Sequence, residues 1–138
     1  MPERTQLKQR KVTVSLDVYL KGEEKEVECV CSCCDHTHTK IVRDQLYEAN
    51  ITHNLGAMAS VAELYYHLWR PEELGITKAF ELIRPLKEGL ALLKSNPDKF
   101  YPHNPTNGWG SYTNLVTFVE NYLAACEEYP EATVEASR

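Results

Sequence analysis

Six side chains of the kind that bind zinc lie within one short stretch of this sequence. They are Cys29, Cys31, Cys33, Cys34, His36 and His38, and they include all but one of the cysteines of the chain. Thiolate sulfur and imidazole nitrogen are the ligands that structural zinc sites use, and four of them complete a tetrahedron around the ion. The density of these residues therefore predicts a zinc site.

The spacing of Cys31 and Cys34 predicts the anchor pair of that site, because two intervening residues let a turn wrap around a metal ion. Cys29 lies two residues before Cys31, on the same face of an extended strand, and His38 lies four residues after Cys34. The predicted ligands are Cys29, Cys31, Cys34 and His38. A complete set of four leaves no open position, so the zinc is expected to be structural.

The residue types leave other assignments of this cluster open. His36 could replace Cys29 or His38, and Cys33 could replace Cys34, because adjacent cysteines rarely both reach one ion. The thiols could also form disulfides or a redox-sensitive loop. The first residues of the chain, however, carry charges throughout and lack the apolar run of a signal peptide, which favours a reducing interior where thiols seldom pair.

A second group of candidate residues lies in three connecting segments, 50–56, 68–73 and 103–112. The residues that could bind a ligand there are His53, Asn54, Trp69, Arg70, Asn107, Trp109 and Tyr112. Aromatic rings can stack on a planar ligand while amide and imidazole groups read its polar edge. Gly108 and Gly110 would let backbone N–H groups approach an anion at a helix N-terminus. Each of these residues, taken singly, also fits a purely structural role as a turn, a helix cap or a core plug.

Motifs that carry catalysis are missing from the sequence. It contains no glycine-rich phosphate loop, no nucleophile elbow and no pair of histidines in the spacing of a metalloprotease. His53 beside Thr52 could act as a base and Tyr112 as an acid, but the sequence does not show that they meet. The residues leave the question of an enzyme open and favour a non-enzymatic protein.

Length and composition indicate one globular domain over residues 1–138. Hydrophobic residues make up 43% and charged residues 25% of the chain, which is typical of a soluble protein. The formal net charge is −5, and the only basic group of note is Arg4, Lys8, Arg10 and Lys11 near the N-terminus. Binding to long nucleic acid is therefore disfavoured. No apolar stretch approaches the length that spans a membrane, so no membrane association is expected.

The pattern of apolar residues predicts strands at both ends of the chain. Apolar and polar residues alternate from Val12 to Leu20, and Lys21-Gly22-Glu23-Glu24 predicts a turn into a second strand over 26–31. The segment 29–38 would reverse the chain into a third strand over 39–49, so that metal at the hairpin tip sets the strand register. The alternation over 132–137 predicts a last strand in the same sheet.

Three helices are predicted between these strands. The first begins at Asn54 and ends before Pro71, and the second follows an N-cap at Thr77 and continues through Pro85 as one kinked helix. The third covers about 112–128, with Leu115, Val119, Tyr122 and Cys126 on its buried face. The predicted fold class is α+β: a small antiparallel sheet packed against about three helices, with a zinc knuckle at 29–38.

Several sequence strings are similar to those of a family of small, largely uncharacterised proteins encoded by bacteriophages. They are SLDVYL at 15–20, NITHNLG at 50–56, LWRPEE at 68–73 and NGWGSY at 107–112. Proteins of this family often carry a Cys/His insertion where this chain has residues 29–38. The resemblance implies a phage accessory protein that acts in the host cytoplasm, and it implies no reaction.

Two hypotheses of function follow from the sequence. The first is a non-enzymatic binder of a small nucleotide-like ligand, which in a phage protein would suit the sequestration of a host immune signal. The alternative is a zinc-stabilised interaction module that binds a host protein. A monomer and a homo-oligomer are both compatible with the sequence.

Overall fold

A computed structural model of the chain describes residues 15–30, 37–105 and 110–138. Three strands form an antiparallel sheet in the order β2-β1-β3: β1 (Ser15–Val30), β2 (Thr37–Thr52) and β3 (Thr133–Ser137). The helices lie between β2 and β3 in sequence, and they are α1 (Gly56–Val61), α2 (Tyr65–Trp69), α3 (Phe80–Ser95), α4 (Pro97–Phe100) and α5 (Tyr112–Glu128). The α+β class and the antiparallel sheet are confirmed.

The N-terminal strands differ from the sequence prediction. The predicted turn over 21–24 is wrong, because β1 runs without interruption for 16 residues. The register with β2 shifts between Leu20 and Lys21 and again between Lys21 and Glu24, so the extra residues form bulges. A bulge bends a strand locally without ending it or reversing the chain. The hairpin is therefore longer than predicted, while the C-terminal strand pairs with β1 as expected.

The sheet has a covered end and an uncovered end. Leu16, Val18 and Leu20 alternate along the first part of β1 and are fully buried in the core. The pairing of β3 with β1 extends only from Asp17 to Lys21. Beyond this point β1 and β2 continue as a two-stranded ribbon, which we call the arm and define as residues 22–30 and 37–44.

The first predicted helix is broken in the structure. A 3₁₀ turn over His53–Leu55 precedes α1. The N-cap of this turn is Thr52 and not Asn54 as predicted, and the Thr52 hydroxyl accepts a hydrogen bond from the backbone N–H of Asn54. The chain then leaves the helical conformation at Glu63, which has a left-handed backbone with φ of 62°. This break separates α1 from α2 and makes the prediction of one continuous helix wrong.

The two long helices agree closely with the sequence prediction. The α3 helix continues through Pro85, and α5 covers the predicted residues with Ser111 as its N-cap. Thr77 does not cap α3 as expected. Instead the Glu81 carboxylate accepts hydrogen bonds from the backbone N–H groups of Thr77 and Lys78, both at 2.9 Å.

One hydrophobic cluster joins the sheet and the helices. Its fully buried members include Leu16, Leu64, Leu86, Leu115 and Val119. A Cβ atom on Gly89 of α3 would lie 2.4 Å from the Leu64 side chain, so the glycine is needed for this close packing. Among the described helices, none is both long and apolar enough to cross a membrane.

Candidate functional site

The tip of the hairpin brings two of the four predicted zinc ligands together. Cys29 and His38 are direct partners in the β1–β2 register, so their side chains lie on the same face of the ribbon. Opposite side chains in an antiparallel pair have Cβ atoms about 4.5–5.5 Å apart, a separation that one metal ion can bridge. Cys29 is partly buried and carries a free thiol.

The other predicted ligands, Cys31 and Cys34, lie outside the described residues, and so do Cys33 and His36. All four belong to the segment 31–36, which is separated by one residue from Cys29 and by one residue from His38. The described ranges alone contain no group of three or more potential metal ligands. A sulfur and an imidazole on one face, next to a short segment with further thiols, fit the donor set of tetrahedral zinc.

The arm that ends in this tip has little other support. Lys25 pairs with Asp44 at 2.6 Å, and Arg43 pairs with Glu24 at 3.0 Å and with Glu135 of β3 at 3.6 Å; all of these side chains are at least one-third exposed. Exposed ion pairs of this kind contribute about 0.2–1 kcal/mol each. An isolated two-stranded hairpin is marginally stable in water. A metal at the tip would close the ribbon and hold its register.

Cys126 is a core residue rather than a ligand. Its side chain on α5 is fully buried, as the sequence indicated. Burial, followed by the nearby charge of Glu127, raises the pKa of the Cys126 thiol to about 12. The protonated thiol therefore behaves as a small apolar side chain.

The three loops that hold the predicted ligand-binding residues contact one another. The Trp69 Nε1–H group donates a hydrogen bond of 2.9 Å to His53 Nδ1, which joins the first loop to the second. Gly110 has a φ of 100°, and a Cβ atom there would lie 2.7 Å from Thr52 Cγ2. Glycine is therefore required where the third loop packs on the first. The composition of the three loops marked them as candidate ligand-binding segments, whereas the contacts between them depend on the fold.

Trp69 is buried where the second loop meets the first. Only 2% of its surface is exposed, and the Tyr65 ring stacks on it with centroids 5.5 Å apart. The Arg138 guanidinium donates 2.8 Å hydrogen bonds to the Trp69 carbonyl and to the Glu72 carboxylate. Trp69 thus packs between the loops and does not present an open ring face to a ligand. Tyr65, Glu72 and Arg138 were not among the sequence candidates.

Arg70 and Asn54 lie at the surface of the same region. Arg70 Nε donates to the Tyr65 hydroxyl at 3.3 Å, and its Nη1 pairs with Glu73 at 2.8 Å. The hydrogen bond with Tyr65, followed by that with Glu73, raises the pKa of Arg70 and keeps the guanidinium charged. Asn54 is exposed. Arg70 is therefore held by partners of its own chain, whereas the Asn54 side chain faces solvent.

Tyr112 connects α5 to α3. Its hydroxyl donates a 2.6 Å hydrogen bond to the Leu93 carbonyl, and its ring packs against Phe100 and Tyr101. Burial raises the pKa of the Tyr112 hydroxyl, which favours its role as a hydrogen-bond donor. The other two candidates of this loop, Asn107 and Trp109, lie outside the described residues.

A groove at the base of the arm was missed by the sequence analysis. It has a volume of about 280 Å³ and is lined mainly by Leu46, Tyr129 and Pro130, with Glu23 and Glu131 beside them. The residues come from β1, β2 and the segment before β3, so only the sheet topology brings them together. We call this feature the base groove.

Comparisons with known proteins do not assign this site. No protein-family model, no curated protein and no solved structure matches the chain.

Proposed function

We propose that this protein is an interaction module that binds another protein through the arm. The observation that carries the proposal is that the arm projects beyond the reach of β3 and that nearly all its residues are exposed. Ribbons with unpaired edges are surfaces to which other chains add readily, because their backbone groups remain free to form hydrogen bonds. A projecting ribbon that served only the stability of this fold would gain nothing from its length.

The apolar residues of the arm support this proposal. Val27, Val30 and Ile41 are 39%, 65% and 61% exposed, respectively. Val30 and Ile41 lie on the face of Glu26 and Glu28, and Val27 lies on the opposite face. Exposed apolar residues add little to the stability of a monomer, but they add to affinity when a partner covers them. The arm therefore offers both apolar contacts and free backbone groups to a partner.

Zinc has a structural role in this proposal. Cys29 and His38, with Cys31 and Cys34 from the segment between the strands, would hold one ion at the tip of the arm. The ion would supply four strong bonds to a ribbon that, within the described part of the chain, is held by backbone pairing and exposed ion pairs. A rigid arm would bind with a smaller loss of conformational entropy than a frayed one.

The sequence resemblance to bacteriophage proteins supports a setting for this function. In that setting the protein is a phage accessory factor that acts in the cytoplasm of the bacterial host, and the partner is a host protein. The acidic net charge of −5 favours a protein partner over long nucleic acid.

A small nucleotide-like ligand is the second candidate function. It is favoured by the contact between the three loops, in which His53 meets Trp69 and Gly110 meets Thr52. The burial of Trp69 and the pairing of Arg70 with Glu73 count against a ligand site there, because neither side chain is free to contact a ligand. Cyclic nucleotides and ADP-ribose derivatives are the probes for this candidate, because a ligand that binds the folded state raises the melting temperature.

An arm-deletion variant tests the proposed function. In this variant an Asn-Gly turn replaces residues 24–43 and joins the strands directly, a connection that suits a tight hairpin. We expect the variant to melt cooperatively with unchanged helical circular dichroism, because its core residues are retained. We also expect the intact protein to retain one host protein in equimolar amount from a bacterial lysate, and to bind it again when both are purified. The variant should lose that partner.

Two results would contradict the proposal. The first is a partner that binds the arm-deletion variant as tightly as the intact chain. The second is an intact chain that carries no protein partner but melts at a higher temperature with one of the nucleotide probes. That second result would transfer the assignment to the small-ligand candidate.

A further inference from the structure

We infer that the free edge of β1 in the arm binds an extended segment of a partner protein in which basic and apolar residues alternate. This inference rests on the proposed function, since it names the class of partner that the arm takes. Three features of the described residues carry it: the unpaired edge, a row of carboxylates along it and the base groove at its end.

The edge becomes free where β3 begins. Thr133 of β3 pairs with Lys21, and from Gly22 to Val30 no described strand continues the pairing on that side of β1. The other side of β1 is occupied by β2 along the same residues. Alternate N–H and C=O groups of this edge therefore point outward, and an incoming strand would extend the sheet in line with β3.

Carboxylates follow one face of this edge. Glu24, Glu26 and Glu28 are spaced two residues apart, so their side chains share a face. Glu24 is neutralised by Arg43 on β2. Glu26 and Glu28 lie opposite Ile41 and Thr39 instead, and neither has an ion pair within the described ranges.

The carboxylates of Glu26 and Glu28, which have no ion pair among the described residues, indicate which residues the partner provides. Two like charges two residues apart repel each other, and lysine or arginine side chains on an adjacent strand would remove this repulsion. Phosphate groups would increase it, so nucleic acid does not fit this edge. The partner segment therefore carries basic residues on the face of Glu26 and Glu28.

The opposite face of the same edge favours apolar residues. Val27 lies on this face between Lys25 and Cys29, and it is 39% exposed. The Lys25 ammonium is already paired with Asp44 at 2.6 Å. Every second residue of an incoming strand points to this face, so apolar residues there would cover Val27. Basic and apolar residues of the partner thus alternate.

The base groove adds a position for one large apolar side chain. It lies beside the segment that leads into β3, where the free edge starts, and Leu46, Tyr129 and Pro130 provide its apolar lining. Its volume of about 280 Å³ can hold the side chain of a leucine or phenylalanine. Glu23 and Glu131 beside the groove extend the acidic character of the edge. We therefore expect a bulky apolar residue at one end of the bound segment.

A synthetic peptide of alternating lysine and valine with leucine at one end is the probe for this surface. Its binding to the full zinc-loaded chain is measured by fluorescence anisotropy at near-physiological salt. We expect the double variant Glu26→Lys and Glu28→Lys to weaken binding at least about tenfold, because each attraction becomes a repulsion. The matched control, Glu88→Lys with Asp98→Lys on α3 and α4, changes the net charge equally outside the arm. It should bind like the unmodified chain.

The outcomes separate this inference from the proposed function. Equal binding by both double variants would overturn the inference. Equally weakened binding would show attraction to net charge alone, and binding as tight as that of the unmodified chain would show that Glu26 and Glu28 do not contribute. Self-association of the chain that stops when Arg4, Lys8, Arg10 and Lys11 are changed to Gln, without peptide binding, would also overturn it in favour of a second copy. A host partner that needs the arm but tolerates the Glu26→Lys and Glu28→Lys changes would overturn only the inference and leave the proposed function in place.

Discussion

Replacing Cys34 by Ser is expected to lower the zinc content of the purified protein from about one ion per chain to near zero. An alcohol oxygen is a far poorer zinc ligand than a thiolate, and three remaining ligands hold the ion weakly. Elemental analysis of protein prepared without chelator measures this change. The matched control is Cys126→Ala, which removes a buried thiol from the core and should leave the zinc content unchanged.

The loss of zinc should loosen the arm without unfolding the protein. The fully buried residues of α3 and α5, among them Leu86, Leu115 and Val119, form a core to which the described residues of the tip, 29–30 and 37–38, do not belong. Chelator should therefore lower the melting temperature modestly, in contrast to a zinc finger that has no other core. The zinc assignment would be refuted if the protein contained no metal and a thiol reagent reacted freely in the native state with Cys29, Cys31, Cys33 and Cys34.

Replacing Trp69 by Ala is expected to lower the free energy of unfolding by about 3–5 kcal/mol. The ring is 2% exposed, stacks on Tyr65 and donates a hydrogen bond to His53. Its removal would leave a cavity beside Tyr65 and would remove the donor that binds His53 Nδ1. Urea denaturation followed by circular dichroism measures the change.

The conservative variant Trp69→Phe separates the packing from the hydrogen bond. It keeps a smaller aromatic ring against Tyr65 and removes the Nε1–H donor together with part of the indole, so a loss of about 1–3 kcal/mol, smaller than that of Trp69→Ala, is expected. A Trp69→Ala protein within about 0.5 kcal/mol of the unmodified chain would contradict this account. Such a result would mean that the ring is free in solution and available to a planar ligand.

Strong periodicity explains why part of the fold could be predicted. The α5 helix carries Leu115, Val119 and Tyr122 at helical spacing and a serine N-cap, and both signals agree with the structure. The same holds for β3, whose short alternation predicted a strand that joins the N-terminal sheet, as it does in the structure. Where local pattern and tertiary packing require the same conformation, the sequence suffices.

The errors occur where one local signal fits two structures. A glycine among charged residues at 21–24 is typical of a turn, but it is equally typical of a bulge, and only the pairing with β2 shows which one forms. The apolar spacing around Glu63 predicts one continuous helix. Ala62 and Leu64 are buried although the helix is interrupted at Glu63, so the same apolar pattern fits both structures. A left-handed glutamate has no signal in the sequence.

The site shows the same limit. The residue types made His53 and Trp69 candidates for binding a ligand or for a structural role. Their hydrogen bond joins residues 16 positions apart and depends on the interruption of the helix at Glu63. Composition does not show whether a tryptophan points into the core or into solvent. The pairing of Cys29 with His38, in contrast, follows from a hairpin that closes between them, which the cysteine spacing had already indicated.

Hydrogen exchange with and without zinc tests the central claim most directly, which is that metal at the tip holds the arm as a formed ribbon. With zinc bound, the cross-strand amides of residues 24–30 and 37–43 should be protected from exchange. After chelation these amides should exchange rapidly, while the amides of α5 keep their protection. Arm amides that exchange at the same rate in both states would contradict the claim, and so would a simultaneous loss of protection in the arm and in α5.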